Sequence, residues 1–456
     1  MPFLPDKSEI RSVLSLAGPI TLMQFGMVAY TTVNTLYMGR IGPEAIAGVG
    51  LAGSSIFLLI LFGIGTLLGV DTLSSRAFGA GRRDVCAAIV LHALAVALLC
   101  SLPLIALAGF AGPAFRAVGI SREAADAALA FIKVFRWVVL PALLFTACRQ
   151  YLQSMNITNP QLVAIVAGNG INIGLGYALV FGRFGLPRLG IQGAAISTLA
   201  AEWLMFLITA VAAFREIRAS GFRFHGWHRS LFKELLAIGV PAGGQMLVEM
   251  AVFTTATFLT GRLGAVPLAA HQIVLNLASI TFMVPLGMSF AAAVRVGQGI
   301  GRLDAPGAVL SGDTAFTLGV AFMAAAAGLM LLFPKVWLGF YTADAAVLSV
   351  GGKLLLIAAL FQVFDGTQVA LTGALRGLGE TRLPMLANLL GHWLIGVPIG
   401  VWLAFGLGWG VCGIWTGLCI GIMAVALTLY GVWRSRARKL LESHRFTGAA
   451  LATEPG

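Results

Sequence analysis

The sequence predicts an all-α integral membrane protein whose twelve transmembrane helices form two six-helix, parallel pseudo-repeats. Three observations carry that prediction. Of 456 residues, 59% are hydrophobic and 11% charged, with a mean hydropathy of +0.92, which is more apolar side chain than a soluble domain needs. The apolar residues gather in twelve runs, each long enough to cross a bilayer. The chain also matches itself without gaps at a shift of 222 positions. Arg11 falls on Lys233, Pro19 on Pro241, Gly39-Arg40-Ile41-Gly42 on Gly261-Arg262-Leu263-Gly264, Gly65 on Gly287 and Gly79 on Gly301. Proline and glycine constrain the backbone, so their recurrence indicates a repeated fold and not shared composition alone.

In chain order the runs lie roughly at 12–36, 45–70, 86–110, 126–148, 161–181, 191–214, 235–260, 267–294, 308–333, 350–374, 384–405 and 411–433. The first follows a short polar leader that contains acids and shows no small-residue cleavage site, so a retained helix is expected and not a signal peptide. Pro19 sits early in it, matched by Pro241 in the seventh run, and each disfavours a straight helix. The bend serves either as a static kink or as a hinge. The second run ends at Asp71, beside Ser74, Ser75 and Arg76, where a cap or an interfacial ion pair is the expectation. Lys133, Arg136 and Lys353 lie within a turn or two of the outer face and are read as snorkelling. GLGWGVCG, before the twelfth run, is no nucleotide loop, because no strand precedes it.

Six runs per half is an even number, so both halves start on the same face and are related by an axis along the membrane normal. The expected domains are an N-lobe over 1–214, a basic cytoplasmic linker over 215–233, and a C-lobe over 234–456 with a basic C-terminal tail. The formal charge of +12 is a topology signal and not a nucleic-acid footprint. With the N-terminus inside, twenty Lys and Arg collect in cytoplasmic segments, Arg149 and Arg223 among them. Seven fall outside: Arg40, Arg116, Arg122, Arg183, Arg188, Arg262 and Lys335. The positive-inside rule then places both termini in the cytoplasm. Cys86, Cys100, Cys148, Cys412 and Cys419 are scattered in or beside apolar runs and form no CxxC pair or disulfide framework, which marks them as buried structural thiols.

Three acids stand out. Glu249 is the sole charge between Glu234 and Arg262, Glu202 the sole charge between Arg188 and Arg215, and Asp365 the sole charge between Lys353 and Arg376. A carboxylate at mid-span costs about 2.5–3.5 kcal/mol on insertion scales, so each is a functional candidate by default. Such a group can take and release a proton and can also hold an organic cation, and competition between the two is the core of an antiporter. Sodium is the rival ion and would use nearby oxygens from Gln245, Gln362, Thr367 and Gln368. For Glu202 a hydrogen bond to a neighbouring helix is the plain alternative. The repeat mate of Glu249 is Met27, and in the first run Asn34 is the most polar candidate.

Several strings resemble the multidrug and toxic compound extrusion family. They are GVDTLSSRAFGAGRRD (69–84), FGLPRLGIQGAAIST (184–198), PLAAHQIVLNLASITFMVPLGMSFAAAVRVGQGIG (267–301) and ALRGLGETRLPMLANLLGHWLIGVPIGVWLAFGLGWGVCGIWTGL (374–418). The resemblance runs from about 10 to 433 and implies a V-shaped, twelve-helix exporter of organic cations, driven by a proton or sodium gradient. It also implies a working glutamate in the seventh helix, carried by QMLVEMAVF at Glu249, and a working aspartate in the tenth, carried by FQVFDGTQVALTGALRG at Asp365. Many bacterial relatives carry V-D-T late in the first helix. Here that string is Val33-Asn34-Thr35, and an amide cannot exchange a proton near neutral pH.

Two other readings compete. A lipid-linked oligosaccharide flippase of the same superfamily must hold phosphates and should show mid-span Lys or Arg, where this chain shows acids. An intramembrane enzyme needs a nucleophile–base pair or a metal cluster, yet HExxH and GxSG are absent and His92, His271 and His392 lie far apart. His271 reads as a packing or hydrogen-bonding residue. The resulting expectation is a monomeric multidrug antiporter of the inner membrane that meets the lipid bilayer and small organic cations. It has no nucleic-acid partner, metal site or cofactor, and it is driven by a proton gradient, with sodium at Glu249 and Asp365 the less favoured choice.

Overall fold

A computed structural model describes residues 6–112, 115, 122–222 and 226–452. Arg116 and Arg223 of the charge count lie outside them. Twelve helices are long and apolar enough to cross a membrane. They are α1 (Lys7–Gly39), α2 (Gly48–Gly79), α3 (Arg83–Ala108), α4 (Ala125–Ser154), α5 (Asn159–Phe181), α6 (Ile191–Ala219), α7 (Arg229–Gly261), α8 (Ala265–Gly301), α9 (Ala305–Leu332), α10 (Ala345–Gly377), α11 (Arg382–Gly406) and α12 (Gly410–Ser443). No strand occurs among the described residues. An all-helical answer is what a bilayer demands, since each backbone N–H and C=O must be paired within its own segment.

Local chemistry sets the helix ends. Asp344 starts α10 by accepting hydrogen bonds from the N–H groups of Ala346 and Val347 at 2.9 and 3.0 Å. Asp304 starts α9 by accepting from Gly307 at 2.9 Å, with a proline in the first turn. Three helices are interrupted. α2 breaks at Leu68 and restarts at Gly69. α4 tightens into a 3-10 turn at Arg136–Val138. α11 widens to π-helix over Leu389–Gly396 and Trp402–Gly406, on either side of Pro398, which lacks the N–H for a regular bond. α11 and α12 meet at glycines, and a Cβ on Gly417 would overlap the backbone of Gly400.

The helices pack into two compact units. The first comprises Leu22–Gly243, and the second comprises Gly244–Gly456 together with Met1–Thr21. The divisions fall inside α1 and α7, just beyond Pro19 and Pro241, at the same 222-residue spacing as the sequence repeat. Each leading segment is anchored in its own unit. At the start of α1, Glu9 takes a two-point ion pair from Arg295 of α8 at 2.8 and 2.7 Å and a 2.6 Å hydrogen bond from Ser311 of α9. Ahead of α7, the His228 N–H donates to His92 Nε2 at 3.0 Å, while His92 Nδ1 bonds the Ala88 carbonyl at 2.7 Å.

Each unit has its own apolar core. Val90, Phe131, Leu143, Tyr151 and Leu152 fill the first, and Leu354, Phe361, Trp415 and Ile422 fill the second. Large apolar side chains also cover the outside, including Leu99, Leu102, Val166, Phe214, Phe258, Leu356, Leu394 and Leu427. With lipid as the solvent those residues are in their preferred medium.

Candidate functional site

Glu249 sits in the middle of α7 and Asp365 in the middle of α10, and both belong to the second unit. The structure brings them within electrostatic range of each other. Asp365 is 6% exposed and its Oδ1 meets no hydrogen-bond donor among the described residues. Gln368, one turn after Asp365, hydrogen-bonds Glu249 and donates through Nε2 to Asn388 Oδ1 of α11 at 3.2 Å. Neither acid forms an ion pair with Lys or Arg among the described residues.

Hydrogen bonds and ring contacts tie the surroundings of the pair together. Trp393, within the π-helical stretch of α11, donates through Nε1 to the carbonyl of Val248 at 3.2 Å and so ties α11 to the residue before Glu249. Phe253, one turn past Glu249, meets Phe361, one turn before Asp365, edge-on with ring centroids 6.1 Å apart. Phe361 in turn meets Trp415 at 5.8 Å. Trp415 Nε1 donates to His271 Nδ1 at 3.0 Å, and His271 Nε2 lies 3.0 Å from Thr257 Oγ1, whose hydroxyl donates to Phe253 O. One neutral tautomer satisfies that whole chain, with the proton on Nε2, so His271 is a hydrogen-bonded packing residue.

The other candidates go to separate places. Gln245 is buried one turn before Glu249 on α7. Gln362 is taken up elsewhere: it accepts from Thr281 of α8 at 2.6 Å and points Nε2 at Met330 Sδ of α9 at 2.7 Å. Asn34 and Glu202 lie in the first unit. There Asn34 Nδ2 donates to Thr198 Oγ1 at 3.1 Å, and Asn172 Nδ2 reaches both Thr198 Oγ1 at 3.2 Å and Asn34 Oδ1 at 3.4 Å. Tyr30, one turn before Asn34, donates to the Thr198 carbonyl at 2.8 Å. Glu202, one turn after Thr198 on α6, is 7% exposed.

Two charged residues lie deeper than their places at the ends of apolar runs suggest. Arg149, counted among the cytoplasmic cations, is 4% exposed within the first unit, in electrostatic range of Asp71 and Glu202. Asp71 is fully buried in the first turn after the α2 break. The Gln150 amide, with its nitrogen turned to Asp71, donates to both carboxylate oxygens at 2.5 and 2.7 Å. Asp71 is thus a buried partner of Arg149 and Gln150. Sequence offered one clue to Arg149, namely an acid buried at the end of another run.

Two acids on different helices of a twelve-helix protein with an internal repeat fit a membrane transporter. The MatE family profile matches residues 19–178 and again 241–402. The two matches open at Pro19 and Pro241, the prolines that the internal repeat superposes. The chain is 34% identical to a probable multidrug resistance protein NorM of Mesorhizobium japonicum, covering 95% of each. It is 37% identical to one of Burkholderia pseudomallei, covering 92% of this chain and 91% of the relative. In fold it is similar to the eukaryotic MATE transporter AtDTX14, with TM-score 0.85 and 21% identity over 96% of this chain and 99% of that one. The chain belongs to the MatE family of multidrug and toxic compound extrusion proteins, multi-pass membrane transporters and not enzymes.

Proposed function

We propose that the protein is a multidrug efflux antiporter of the inner membrane, with both termini cytoplasmic, that exports apolar organic cations in exchange for protons. The observation that carries this reading is the Glu249–Asp365 pair, a half-buried and a buried acid in mutual range with no Lys or Arg paired to either among the described residues. A pair of like charges withdrawn from bulk water needs compensation, and either a proton or an organic cation can supply it. The two ligands therefore compete for one charge, and that competition couples their movements. Phe253, half-buried one turn past Glu249, adds an aromatic side chain beside the acids for flat or greasy cations, backed by the buried rings of Phe361 and Trp415. The names of the NorM relatives support the multidrug reading.

In the proposed cycle a cation enters from the cytoplasm and binds beside Glu249 and Asp365. A change of access exposes the acids to the outside, protons displace the cation, and the protonated form returns. Ethidium efflux from everted vesicles, with a pH gradient or a sodium gradient imposed separately, tests the proposal. Efflux driven by the pH gradient is expected. Efflux driven only by sodium overturns the choice of ion, and no efflux under either gradient overturns the exporter reading.

A further inference from the structure

The first unit holds a second, differently built cluster of charge. Asp71 of α2, Arg149 of α4 and Glu202 of α6 are 0%, 4% and 7% exposed. Two carboxylates face one guanidinium, so one negative charge is left over when both acids are ionised. The two acids are not equivalent. Asp71 is served by both donors of the Gln150 amide and by the field of Arg149. Glu202 has only the field of Arg149, and its Oε2 is buried without a hydrogen bond among the described residues. A buried acid left with an unsatisfied oxygen is the natural seat of a proton.

We propose that Glu202 is a second proton-exchanging acid, in the first unit, with Arg149 as a counter-ion it shares with Asp71. When Glu202 carries the proton, on Oε2, Arg149 belongs to Asp71 and the cluster is neutral. When the proton leaves to water, Glu202 and Asp71 compete for the guanidinium. The cluster then bears a net negative charge until an external cation or proton arrives. This rests on the proton-antiport reading above for its purpose, though not for its chemistry.

The neighbours of Glu202 are consistent with that role. Tyr30 of α1 lies in its electrostatic range, and its hydroxyl is fixed on the Thr198 carbonyl, one turn away on the same helix as Glu202. The amides of Asn34 and Asn172 close the next turn around Thr198 and cannot titrate. α5 carries no ionisable group but Tyr177, near its far end. On α3, His92 is committed to Ala88 and His228. One turn beyond Arg149 and Asp71, the Gln153 amide and the Ser74 hydroxyl are buried without protein partners among the described residues. Such groups ordinarily bond water.

The test is pH-difference infrared spectroscopy of the reconstituted protein, read at the carbonyl stretch of a protonated carboxyl group. That band should persist in the Glu249→Gln/Asp365→Asn double variant and lose its remaining pH-dependent part when Glu202→Gln is added. Glu202→Asp should keep it. Arg149→Lys should hold the midpoint near wild type, and Arg149→Gln should move it by at least about one pH unit. A pH-dependent band unchanged by Glu202→Gln overturns the proposal. Size-exclusion profiles identify any variant that fails to fold, and for such a variant Glu202→Asp decides, since loss of the band there also overturns it. Ethidium efflux on the same samples is a separate readout: its absence defeats the exporter reading and leaves the infrared result standing.

Discussion

The two units answer the same problem, a carboxylate inside a membrane, in opposite ways. The first brings its own cation, for Asp71 and Glu202 share the buried Arg149 and Asp71 has Gln150 besides. The second brings no cation: Glu249 and Asp365 meet each other, Gln368 and, through it, Asn388. Sequence symmetry does not foretell this, because Glu249 superposes on Met27 and not on an acid. One unit neutralises most of its charge within the fold. The other pairs its acids with no Lys or Arg among the described residues, which in the proposed cycle leaves their charge to a proton or a cation. A pair without a resident counter-ion responds to every proton or cation that reaches it, whereas a compensated cluster responds only to the excess.

The largest expected effect breaks the first unit's compensation. Arg149→Met leaves Asp71 and Glu202 without their cation, and removing one partner of a buried ion pair destabilises by about 3–5 kcal/mol. The melting temperature in detergent should fall steeply, with partial recovery in Arg149→Met/Asp71→Asn. A variant as stable as wild type would remove Arg149 from the core of that unit.

The same manipulation in the second unit should act the other way on stability. Glu249→Gln deletes a charge that no cation compensates, so stability should change by less than about 1 kcal/mol or rise. Coupled ethidium efflux should nevertheless fall more than about tenfold, equal to about 1.4 kcal/mol of lost driving interaction. Full coupled transport by Glu249→Gln, or by Asp365→Asn, would show that the unpaired acids are not the coupling site.

Much of this was legible in the sequence, for physical reasons. A helix that faces lipid must be apolar for its whole length, so the twelve runs and the twelve helices agree. An isolated acid in such a run is conspicuous, which is why Glu249 and Asp365 could be singled out and why the structure could then place them together. What sequence spacing cannot supply is direction. Gln362 and Gln368 each lie three residues from Asp365, yet one turns to Thr281 and Met330 and the other to Glu249 and Asn388. By sequence Arg149 counts with the cytoplasmic cations because it stands at the end of a run, where a cation usually reaches water. Its burial depends on α2 and α6, whose approach no local pattern encodes. The exchange of α1 and α7 between units just beyond their prolines was equally invisible, since a helix continues straight through both divisions.

A smaller effect asks how firmly the second unit holds its acids. Trp415→Phe keeps the ring beside Phe361 but removes the donor to His271 Nδ1, leaving a buried acceptor unpaired at about 1–3 kcal/mol. Thermal unfolding should register that loss, and His271→Gln in the same background should recover part of it. Failure of the second substitution to recover anything would mean that packing and not the hydrogen bond dominates there.

The smallest effect is the most specific to Glu249. Trp393→Phe removes a single hydrogen bond to the Val248 carbonyl, worth about 0.5–1.5 kcal/mol. Stability should shift by no more than that. If the π-helical stretch of α11 positions the seventh-helix acid, the ethidium concentration for half-maximal efflux should rise severalfold while the maximal rate changes less, because a displaced carboxylate weakens cation binding before it alters the cycle. Among the described residues the first unit shows no bond of this kind beside Glu202, whose helix is held instead through Tyr30 and Thr198, so Tyr30→Phe is the matched control. It should leave the half-maximal concentration near wild type. Equal shifts in the two variants would erase the distinction between a unit that binds the cargo and a unit that balances its own charge.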